Sequence, residues 1–361
     1  MEKDAVIYIA GHRGMVGSAL LRRLEAGQYR NILTAGHEVL DLTVQQATDR
    51  FFEKHRPQYV FIAAARVGGI MANNSLRAQF LYDNLLMAAN IIHASYRYGV
   101  KKLLFPGSSC IYPRMAPQPL KEEALLTGPL EFTNEPYAIA KIAGIKLCES
   151  YYRQYGCDFL SLMPANLYGP NDNYDLLTGH LSAVLVRKFY LARCLQQGDL
   201  EAVRTDAARH GLQLATEAAI YQWLEDNGIR SHPSLQLTLW GSGSPRREFL
   251  HVDDLADACV FAMERISAAR VYESGISHLN AGTGRDHSIR ELAELTAASS
   301  GFRGEIAWNP SKPDGTPRKL LDVSRMSDLG WKAKISPEEG FQRVAAAYAA
   351  SQAASPQSSG L

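Results

Sequence analysis

Residues 5–27, AVIYIAGHRGMVGSALLRRLEAG, decide the fold of this chain. An apolar run ends at Ala10, and Gly11, Gly14 and Gly17 then separate it from a helical pattern. A strand, a tight glycine turn and a helix in this order are typical of dinucleotide-binding folds, because glycine lets cofactor phosphates approach the backbone. The helix N-terminus adds free N–H groups and partial positive charge. The alternative, a plain glycine turn, is disfavoured by this context.

The alternation of strands and helices continues beyond this turn. Apolar runs at 58–65, 101–109 and 159–169 alternate with helical patterns, one of them around 83–98. Such alternation predicts a parallel sheet with crossover helices, whose strands are apolar throughout because both faces are covered. We therefore predict an α/β fold, a Rossmann-type doubly wound parallel sheet with a smaller, discontinuous C-terminal substrate domain.

A change of composition after Pro170 divides the chain into two predicted domains. We predict that residues 1–170 form the dinucleotide-binding domain, to which a later segment of about 236–262 returns. The substrate-binding domain takes residues 171–235 and 263–345.

Two segments need separate treatment. Apolar residues recur at helical spacing through 196–234, which predicts two amphipathic helices broken at Gly211. Residues 346–361 end in small and polar residues and are predicted to form a disordered tail.

Composition excludes several classes of protein. The chain has 361 residues, a formal net charge of +1 and no basic block, so bulk electrostatics do not suggest a nucleic-acid or membrane partner. We find no long apolar span and no N-terminal signal pattern. Five cysteines without C-x-x-C spacing disfavour a disulfide framework or a structural zinc site, and we expect a reduced, cytoplasmic protein without a metal ion.

Residues near the glycine turn bear on the choice of cofactor. Arg13 lies inside the turn, and a guanidinium there can pair with a ribose 2′-phosphate, which favours NADPH over NADH. Asp41 could hold a ribose diol, contact the adenine region or cap the following helix. His37 could add weak attraction for phosphate.

A tyrosine and a lysine lie four residues apart in NEPYAIAKIAG, residues 134–144. Pro136 suits the first turn of a helix, so that Tyr137 and Lys141 share one face. A nearby lysine cation is expected to lower the pKa of the phenol and make it a usable proton donor and acceptor. The alternative is a surface tyrosine packed on a lysine stem. Ser108 or Ser109, in the loop PGSSCIYP, could hydrogen-bond a substrate carbonyl beside the tyrosine.

These features in this order resemble the extended short-chain dehydrogenase/reductases, and within them the GDP-L-fucose synthase family. The resemblance covers roughly residues 5–193 and 237–332. The matching stretches are GHRGMVGSAL, AAARVGGIMANN, LLFPGSSCIYP, NEPYAIAKIAGIKLCESY, MPANLYGP, WGSGSPRREFLHVDDLADA and KPDGTPRKLLD. So many long matches in order are far more specific than any single motif.

The resemblance implies a bifunctional enzyme that epimerises C3 and C5 of GDP-4-keto-6-deoxy-D-mannose and then reduces C4 with NADPH, giving GDP-L-fucose. It implies Cys110 as the base and His180 as the acid. Ser108 and Tyr137 would stabilise the enolate, and Tyr137, sustained by Lys141, would protonate the C4 alkoxide. A local positive charge would be needed to form the Cys110 thiolate. Taken alone, Cys110 could be a structural cysteine and His180 a surface or helix-capping histidine.

The resemblance also implies a GDP-sugar partner, a homodimer and two sets of binding residues. The substrate set is Asn166, Lys188, Trp240, Arg247 and Asp314, with Arg247 at the diphosphate. The NADP set is Gly11, His12, Arg13, Gly14, Met15, Val16, Gly17, His37, Asp41, Leu42, Ala64, Pro106, Gly107, Ser108, Lys141, Pro164, Ala165, Asn166, Leu167 and His180.

Three positions depart from the family pattern. Segment 196–234 is longer than the usual connection, and could be a lid, an oligomer contact or a decoration at the edge of the substrate domain, which we favour. His37 and Lys188 stand where some members carry arginine, which bears on NADPH preference and on bidentate binding.

Rival functions remain. A related GDP-keto-deoxy sugar of the GDP-colitose type would fit the same chemistry. A 4,6-dehydratase is disfavoured because Cys110 replaces a glutamate-type acid/base. A non-catalytic nucleotide-binding relative would be expected to lose Tyr137, Lys141, Cys110 or His180, and all four are present.

Overall fold

The computed structural model describes residues 1–312 and 314–353. The strands are β1 Val6–Ala10, β2 Asn31–Ala35, β3 Tyr59–Ile62, β4 Lys102–Pro106, β5 Asp158–Pro164, β6 Asn166–Tyr168, β7 Ile229–Arg230, β8 Gln236–Trp240, β9 Arg246–Arg247, β10 Phe249–His251, β11 Leu279–Ala281, β12 His287–Ser288, β13 Glu305–Asn309 and β14 Arg318–Lys319. The α-helices are α1 Met15–Ala26, α2 Gln45–His55, α3 Ile70–Ser75, α4 Arg77–Arg97, α5 Glu135–Tyr155, α6 Leu181–Gln197, α7 Leu200–Arg209, α8 Glu217–Asp226, α9 Val252–Arg265, α10 Ala268–Tyr272, α11 Ile289–Ser300, α12 Ser324–Asp328 and α13 Pro337–Ala353.

The chain folds into two compact units, which we call unit 1 and unit 2. Unit 1 contains residues 1–167, 248–285 and 319–334. Unit 2 contains residues 168–247, 286–318 and the described residues from 335 onwards.

Unit 1 is built on a six-stranded sheet in the order β2-β1-β3-β4-β5-β11, in which every pairing is parallel. Strands β3 and β4 are buried along their whole length, as the apolar runs predicted. The predicted doubly wound parallel sheet is therefore confirmed. The chain leaves β1 for β2 on one side and then crosses to β3 on the other, so the carboxyl ends of β1 and β3 flank the topological switch point.

The predicted domain boundaries need correction. The segment that returns to unit 1 begins at residue 248 and extends to 285, because β11 pairs with β5 and completes the central sheet. A second return, residues 319–334, was not predicted. Leu321, Met326 and Trp331 lie in the core of unit 1, which anchors this second segment there.

Unit 2 contains α6, α7, α8, α11 and α13 around a three-stranded sheet in the order β13-β8-β7. The two helices predicted within 196–234 are confirmed as α7 and α8, and Gly211 between them has φ +78°.

The C-terminal tail also needs correction. Residues 346–353 belong to α13, where the sequence analysis predicted disorder. Phe341, Val344 and Tyr348 recur at helical spacing and are buried, which gives α13 a packed face. Residues 354–361 of the predicted tail lie outside the described residues. No helix in 1–312 and 314–353 has the length and apolar character needed to cross a bilayer.

Candidate active site

The glycine turn between β1 and α1 has a conformation that only glycine satisfies at two positions. Gly11 has φ +83°, and a Cβ there would lie 2.6 Å from the Cα of Ala64, just beyond β3. A Cβ on Gly17 would lie 2.1 Å from the Gly11 carbonyl oxygen. A Cβ on Gly14, in contrast, would meet only the Gly11 oxygen at 3.6 Å. The fold therefore requires Gly11 and Gly17, whereas Gly14 leaves room beside the turn.

This turn fits a dinucleotide phosphate. The N-cap of α1 is Gly14, and among the described residues neither a side-chain cap nor an acidic residue of the first turn occupies the free N–H groups. His12 Nδ1 is buried without a hydrogen-bond partner in the described chain. Exposed N–H groups at a helix N-terminus favour an anion.

Arg13 is engaged by a carboxylate that the sequence analysis missed. Its two terminal nitrogens donate to Glu38 at 3.0 and 2.7 Å, on the exposed surface after β2. Hydrogen bonds from the backbone around Glu38 and from Arg13 lower the pKa of Glu38. The bidentate geometry that we expected toward a 2′-phosphate is thus used within the protein.

The two other residues predicted around the adenosine differ in their surroundings. His37 is exposed, with 81% of its side chain accessible. Asp41 accepts hydrogen bonds from the Thr43 hydroxyl at 2.7 Å and the Thr43 N–H at 2.9 Å, and these lower its pKa. Of the alternatives for Asp41, this geometry favours a structural role in the turn before α2.

The Tyr137–Lys141 pair lies on the first turns of α5, with Pro136 near the helix start as predicted. Lys141 Nζ donates to the Pro106 carbonyl at 2.8 Å and lies 5.7 Å from the centroid of the Tyr137 ring. Burial lowers the pKa of Lys141 to about 8. Burial and the nearby Cys110 raise the pKa of Tyr137, so the expected lowering is wrong: the largest cause is desolvation of the phenolate.

Cys110 is buried close to this pair. Its N–H donates to Ser108 Oγ at 3.4 Å. Burial raises the pKa of the thiol, while the Lys319 charge, the Ser108 hydroxyl and the Lys141 charge act in the opposite direction. The sequence analysis did not predict Lys319 as a site residue, although it lies in the quoted stretch KPDGTPRKLLD. Its position before Leu320 does not indicate that it lies near Cys110.

Asn166 lies just after β5 and is fixed by Glu248. Its side-chain amide donates to the Glu248 carbonyl at 2.9 Å. The buried Glu248 carboxylate accepts N–H donors from Thr283, Gly284 and Leu321 at 2.6 to 2.8 Å. This network ties three chain segments of unit 1 to the end of β5, and sequence reasoning missed it because its members are far apart in the chain.

The other residues of the predicted NADP set in unit 1 gather mainly at the carboxyl ends of the parallel strands. Since these ends share one edge of the sheet, the structure brings together residues from three chain segments. They are Ala64 after β3, Pro106 and Gly107 at the end of β4, and Pro164, Ala165 and Leu167 at the end of β5; Leu42 is buried beside Asp41.

His180 lies in unit 2, immediately before α6. It is the N-cap residue, but its side chain makes no capping hydrogen bond, and its ring Nδ1 lies 3.7 Å from Asp172 Oδ1. The imidazole is partly exposed whereas the Asp172 carboxylate is buried. A carboxylate beside one ring nitrogen can orient the imidazole.

Unit 2 contains a cavity of about 580 Å³, and two predicted substrate residues, Lys188 and Trp240, line it. Lys188 is buried, and its ammonium group donates to the Asn227 carbonyl at 2.7 Å. Burial lowers the pKa of Lys188 to about 8. Trp240 is 62% exposed, and Lys312 Nζ lies 5.1 Å from the centroid of its ring.

Arg247 and Asp314 do not line this cavity as the described residues define it. Arg247 donates to the Arg246 carbonyl at 2.8 Å, and burial lowers its pKa. Asp314 accepts both the N–H and the hydroxyl of Ser242, at 2.9 and 2.7 Å, which stabilises the turn after Trp240.

Comparison with known proteins identifies the family. The NAD dependent epimerase/dehydratase family matches residues 7–205 and 216–282. The chain belongs to this family. The dinucleotide-binding half of such an enzyme is recognised by a strand–turn–helix and a parallel sheet. In this chain they are the N-terminal segment and the sheet of unit 1.

Similar full-length proteins are also known. GDP-L-fucose synthase 1 of Arabidopsis thaliana is 47% identical over 95% of this chain and 93% of its own length. GDP-L-fucose synthase of Escherichia coli strain K12 is 46% identical over 93% of this chain and 94% of its own. A Campylobacter jejuni GDP-D-glycero-L-gluco-heptose synthase, crystallised in the presence of NADPH, superposes with a TM-score of 0.85 at 38% identity, covering 97% of this chain and 99% of that one.

Proposed function

We propose that this protein is an NADPH-dependent enzyme that converts GDP-4-keto-6-deoxy-D-mannose to GDP-L-fucose. The reaction epimerises C3 and C5 and then reduces the C4 ketone. The observation that carries this proposal is the identity of 46–47% to GDP-L-fucose synthases over nearly the whole chain. The grouping of Ser108, Cys110, Tyr137 and Lys141 around one buried position of unit 1 supports it.

The epimerisation needs a base, an acid and a stabilised enolate. Cys110 removes the protons next to the C4 ketone, and the cations Lys319 and Lys141 favour its thiolate against the cost of burial. His180 returns a proton as the acid, with the Asp172 carboxylate beside its ring Nδ1. Ser108 and Tyr137 hydrogen-bond the enolate oxygen.

The reduction uses the same oxygen. Because burial raises the pKa of Tyr137, its phenol stays protonated near neutral pH and can donate to the C4 alkoxide. Lys141, held by the Pro106 carbonyl, supplies a nearby positive charge while it remains protonated. NADPH, when bound, would supply the hydride.

The NADPH-binding residues are those of the glycine turn and of the carboxyl edge of the unit 1 sheet. The free N–H groups of α1 and His12 Nδ1 bind the cofactor phosphates. Arg13 binds the 2′-phosphate once it leaves Glu38.

The GDP part of the substrate binds in the cavity of unit 2. Lys188 supplies a buried cation and Trp240 an exposed aromatic surface. Arg247 lies outside the residues that line this cavity, and the family resemblance alone implies its contact with the diphosphate; Asp314 keeps the turn after Trp240 in place.

We further propose a homodimer in the cytoplasm. Tyr82, Leu85, Tyr96, Ile139 and Tyr155 expose large apolar side chains on α4 and α5, which suits a protein interface. All five cysteines are free, as expected in a reducing compartment.

The test is to mix the purified protein with NADPH and GDP-4-keto-6-deoxy-D-mannose, follow loss of the reduced-nicotinamide absorbance and identify the sugar by NMR. GDP-L-fucose as product supports both half-reactions. A C4-reduced but unepimerised sugar would contradict the roles of Cys110 and His180. Lack of NADPH oxidation would contradict the proposed substrate, and GDP-4-keto sugars of the colitose and heptose types would then be assayed, the latter because of the heptose synthase similarity.

A further inference from the structure

The segment 196–234 reaches the cavity of unit 2. Its residues Glu225, Asp226, Asn227, Gly228 and Arg230 form one wall, beside Lys188 and Trp240. Our interpretation of this segment as a decoration at the domain edge is therefore wrong for its C-terminal part.

The segment is tied firmly to the rest of unit 2. Asp206, in α7, forms an ion pair with Arg187, and both side chains are fully buried. Arg187 is the residue next to Lys188 on α6, so the same stretch of helix carries the anchor and the cavity cation. A buried ion pair of this kind fixes the segment in one position, unlike a mobile lid.

The turn after α8 places a carbonyl oxygen on Lys188. Gly228 has φ +82°, and a Cβ there would lie 2.6 Å from the Thr238 carbonyl oxygen. The Gly228 oxygen in turn accepts the Thr238 N–H at 2.7 Å. These contacts hold the Asn227 carbonyl 2.7 Å from Lys188 Nζ. Only glycine satisfies both the dihedral angle and the close approach.

The cavity has an excess of cations. Lys188, Arg230 and Lys312 line it; Lys188 donates to the Asn227 carbonyl, and Lys312 lies over the Trp240 ring. Arg230 donates to the amide oxygen of Gln236, with Nε at 3.0 Å. Glu225 and Asp226 lie on the same wall, and Asp226 accepts the side-chain amide of Gln222 at 2.9 Å. Three cations against two carboxylates favour an anionic ligand.

We propose that the C-terminal part of segment 196–234, residues 225–230, belongs to the nucleotide-binding site: the Asn227–Gly228 turn positions Lys188 for the diphosphate of the GDP-sugar, and Arg230 adds a second cation to the same diphosphate. This inference rests on the proposed function, because it takes a GDP-sugar as the ligand. Asn227 and Gly228 are positioning residues, and Arg230 is a binding residue.

The test measures GDP binding to the full-length protein by calorimetry. Gly228→Ala is expected to weaken GDP binding about tenfold, since a charged contact is misplaced, and Arg230→Gln about fivefold. The matched control is Gly211→Ala in the same segment, where φ is +78° but nothing lies within 4 Å of the added Cβ. It is expected to bind GDP as the wild type does and to lose less thermal stability than Gly228→Ala, because it has the unfavourable φ without the close approach to a backbone oxygen.

The pH dependence provides a readout that a general loss of stability would not move. Since burial lowers the pKa of Lys188 from 10.5 to about 8, wild-type GDP affinity is expected to fall as the pH rises through about 8. In Gly228→Ala the fall in GDP affinity should move to higher pH, because Lys188 gains access to water and burial then lowers its pKa less. NADPH affinity, measured on the same samples, should stay unchanged.

Two results would overturn the inference: GDP affinity and its pH profile unchanged in both Gly228→Ala and Arg230→Gln, or an equal loss in Gly211→Ala. Failure of the proposed function is distinguishable, because the wild type would then bind NADPH without binding GDP.

Discussion

Arg187 and Asp206 form an ion pair that is fully shielded from solvent in unit 2. Asp206 Oδ1 lies 2.9 Å from Arg187 Nε and 2.7 Å from its Nη2. The Tyr348 hydroxyl donates to the second carboxylate oxygen. One buried carboxylate thus joins α6, α7 and α13, which explains how the long segment 196–234 and α13 are held on the same unit.

Removing this charge should destabilise the protein strongly. Asp206→Asn leaves the Arg187 guanidinium buried without a counter-charge, which costs about 3 kcal/mol of unfolding free energy or more. Urea denaturation measures the change. The control is Glu201→Gln, which breaks the exposed Arg204–Glu201 pair and should cost about 1 kcal/mol or less. Equal effects of the two substitutions would contradict the buried pair as an anchor.

The three glycines of the first turn should respond differently to alanine. Gly17→Ala forces a Cβ to within 2.1 Å of the Gly11 oxygen and should lower both the melting temperature and NADPH affinity. Gly14→Ala has room in the protein, at 3.6 Å from that oxygen, so it should retain its stability yet weaken NADPH binding by approaching the phosphates. Fluorescence titration measures NADPH affinity and thermal unfolding measures stability, so together they distinguish the two variants. Unimpaired NADPH binding by Gly14→Ala would show that the cofactor does not approach this turn.

Glu38 should weaken the preference for NADPH. It holds the Arg13 guanidinium with two hydrogen bonds, which a 2′-phosphate must replace. Glu38→Gln removes the competing charge and should strengthen NADPH binding about threefold while leaving NADH unchanged, as expected for an exposed pair. Arg13→Gln should weaken NADPH binding and also leave NADH unchanged. The measurement is the ratio of the dissociation constants for NADPH and NADH. A ratio that is unaltered in both variants would exclude Arg13 from the 2′-phosphate site.

The protonation of Lys141 should set an alkaline limit on NADPH binding. Its pKa is lowered by burial from 10.5 to about 8, so the ammonium form is lost as the pH rises through about 8. NADPH affinity should fall over the same range, because binding of an anion is linked to the charged form. Lys141→Arg keeps its charge and should remove this fall, whereas Lys146→Met on the same helix should leave the profile unchanged. A wild-type affinity that is independent of pH up to about 9.5 would contradict this linkage.

Sequence patterns over a few residues predicted those features of the molecule that depend only on neighbouring residues. The glycine turn, the apolar strands and the two helices around Gly211 follow from backbone conformation and from the periodicity of apolar residues. The helix at 346–353 could also have been found, since Phe341, Val344 and Tyr348 continue the helical spacing of an alanine-rich stretch. The small residues after it obscured that signal.

Partners distant in the chain could not be predicted in this way. Glu38 on Arg13, Asn227 on Lys188 and Glu248 on three backbone amides depend on where the folded chain brings them. The pKa of Tyr137 was predicted in the wrong direction, because spacing reveals the neighbouring lysine but not the loss of water that raises the pKa. The boundaries of the returning segments failed for a related reason, since β11 joins the sheet through long-range pairing with β5.

The sequence by itself determined the family, the parallel sheet and the residue types of the candidate site, because short-range patterns encode turns, strands and helix faces. The tertiary structure decided which of those side chains are desolvated, which are already paired and which chain segments line the unit 2 cavity. Burial and pairing depend on atoms far apart in the chain, and these two quantities fix the protonation of Tyr137, Lys141 and Lys188.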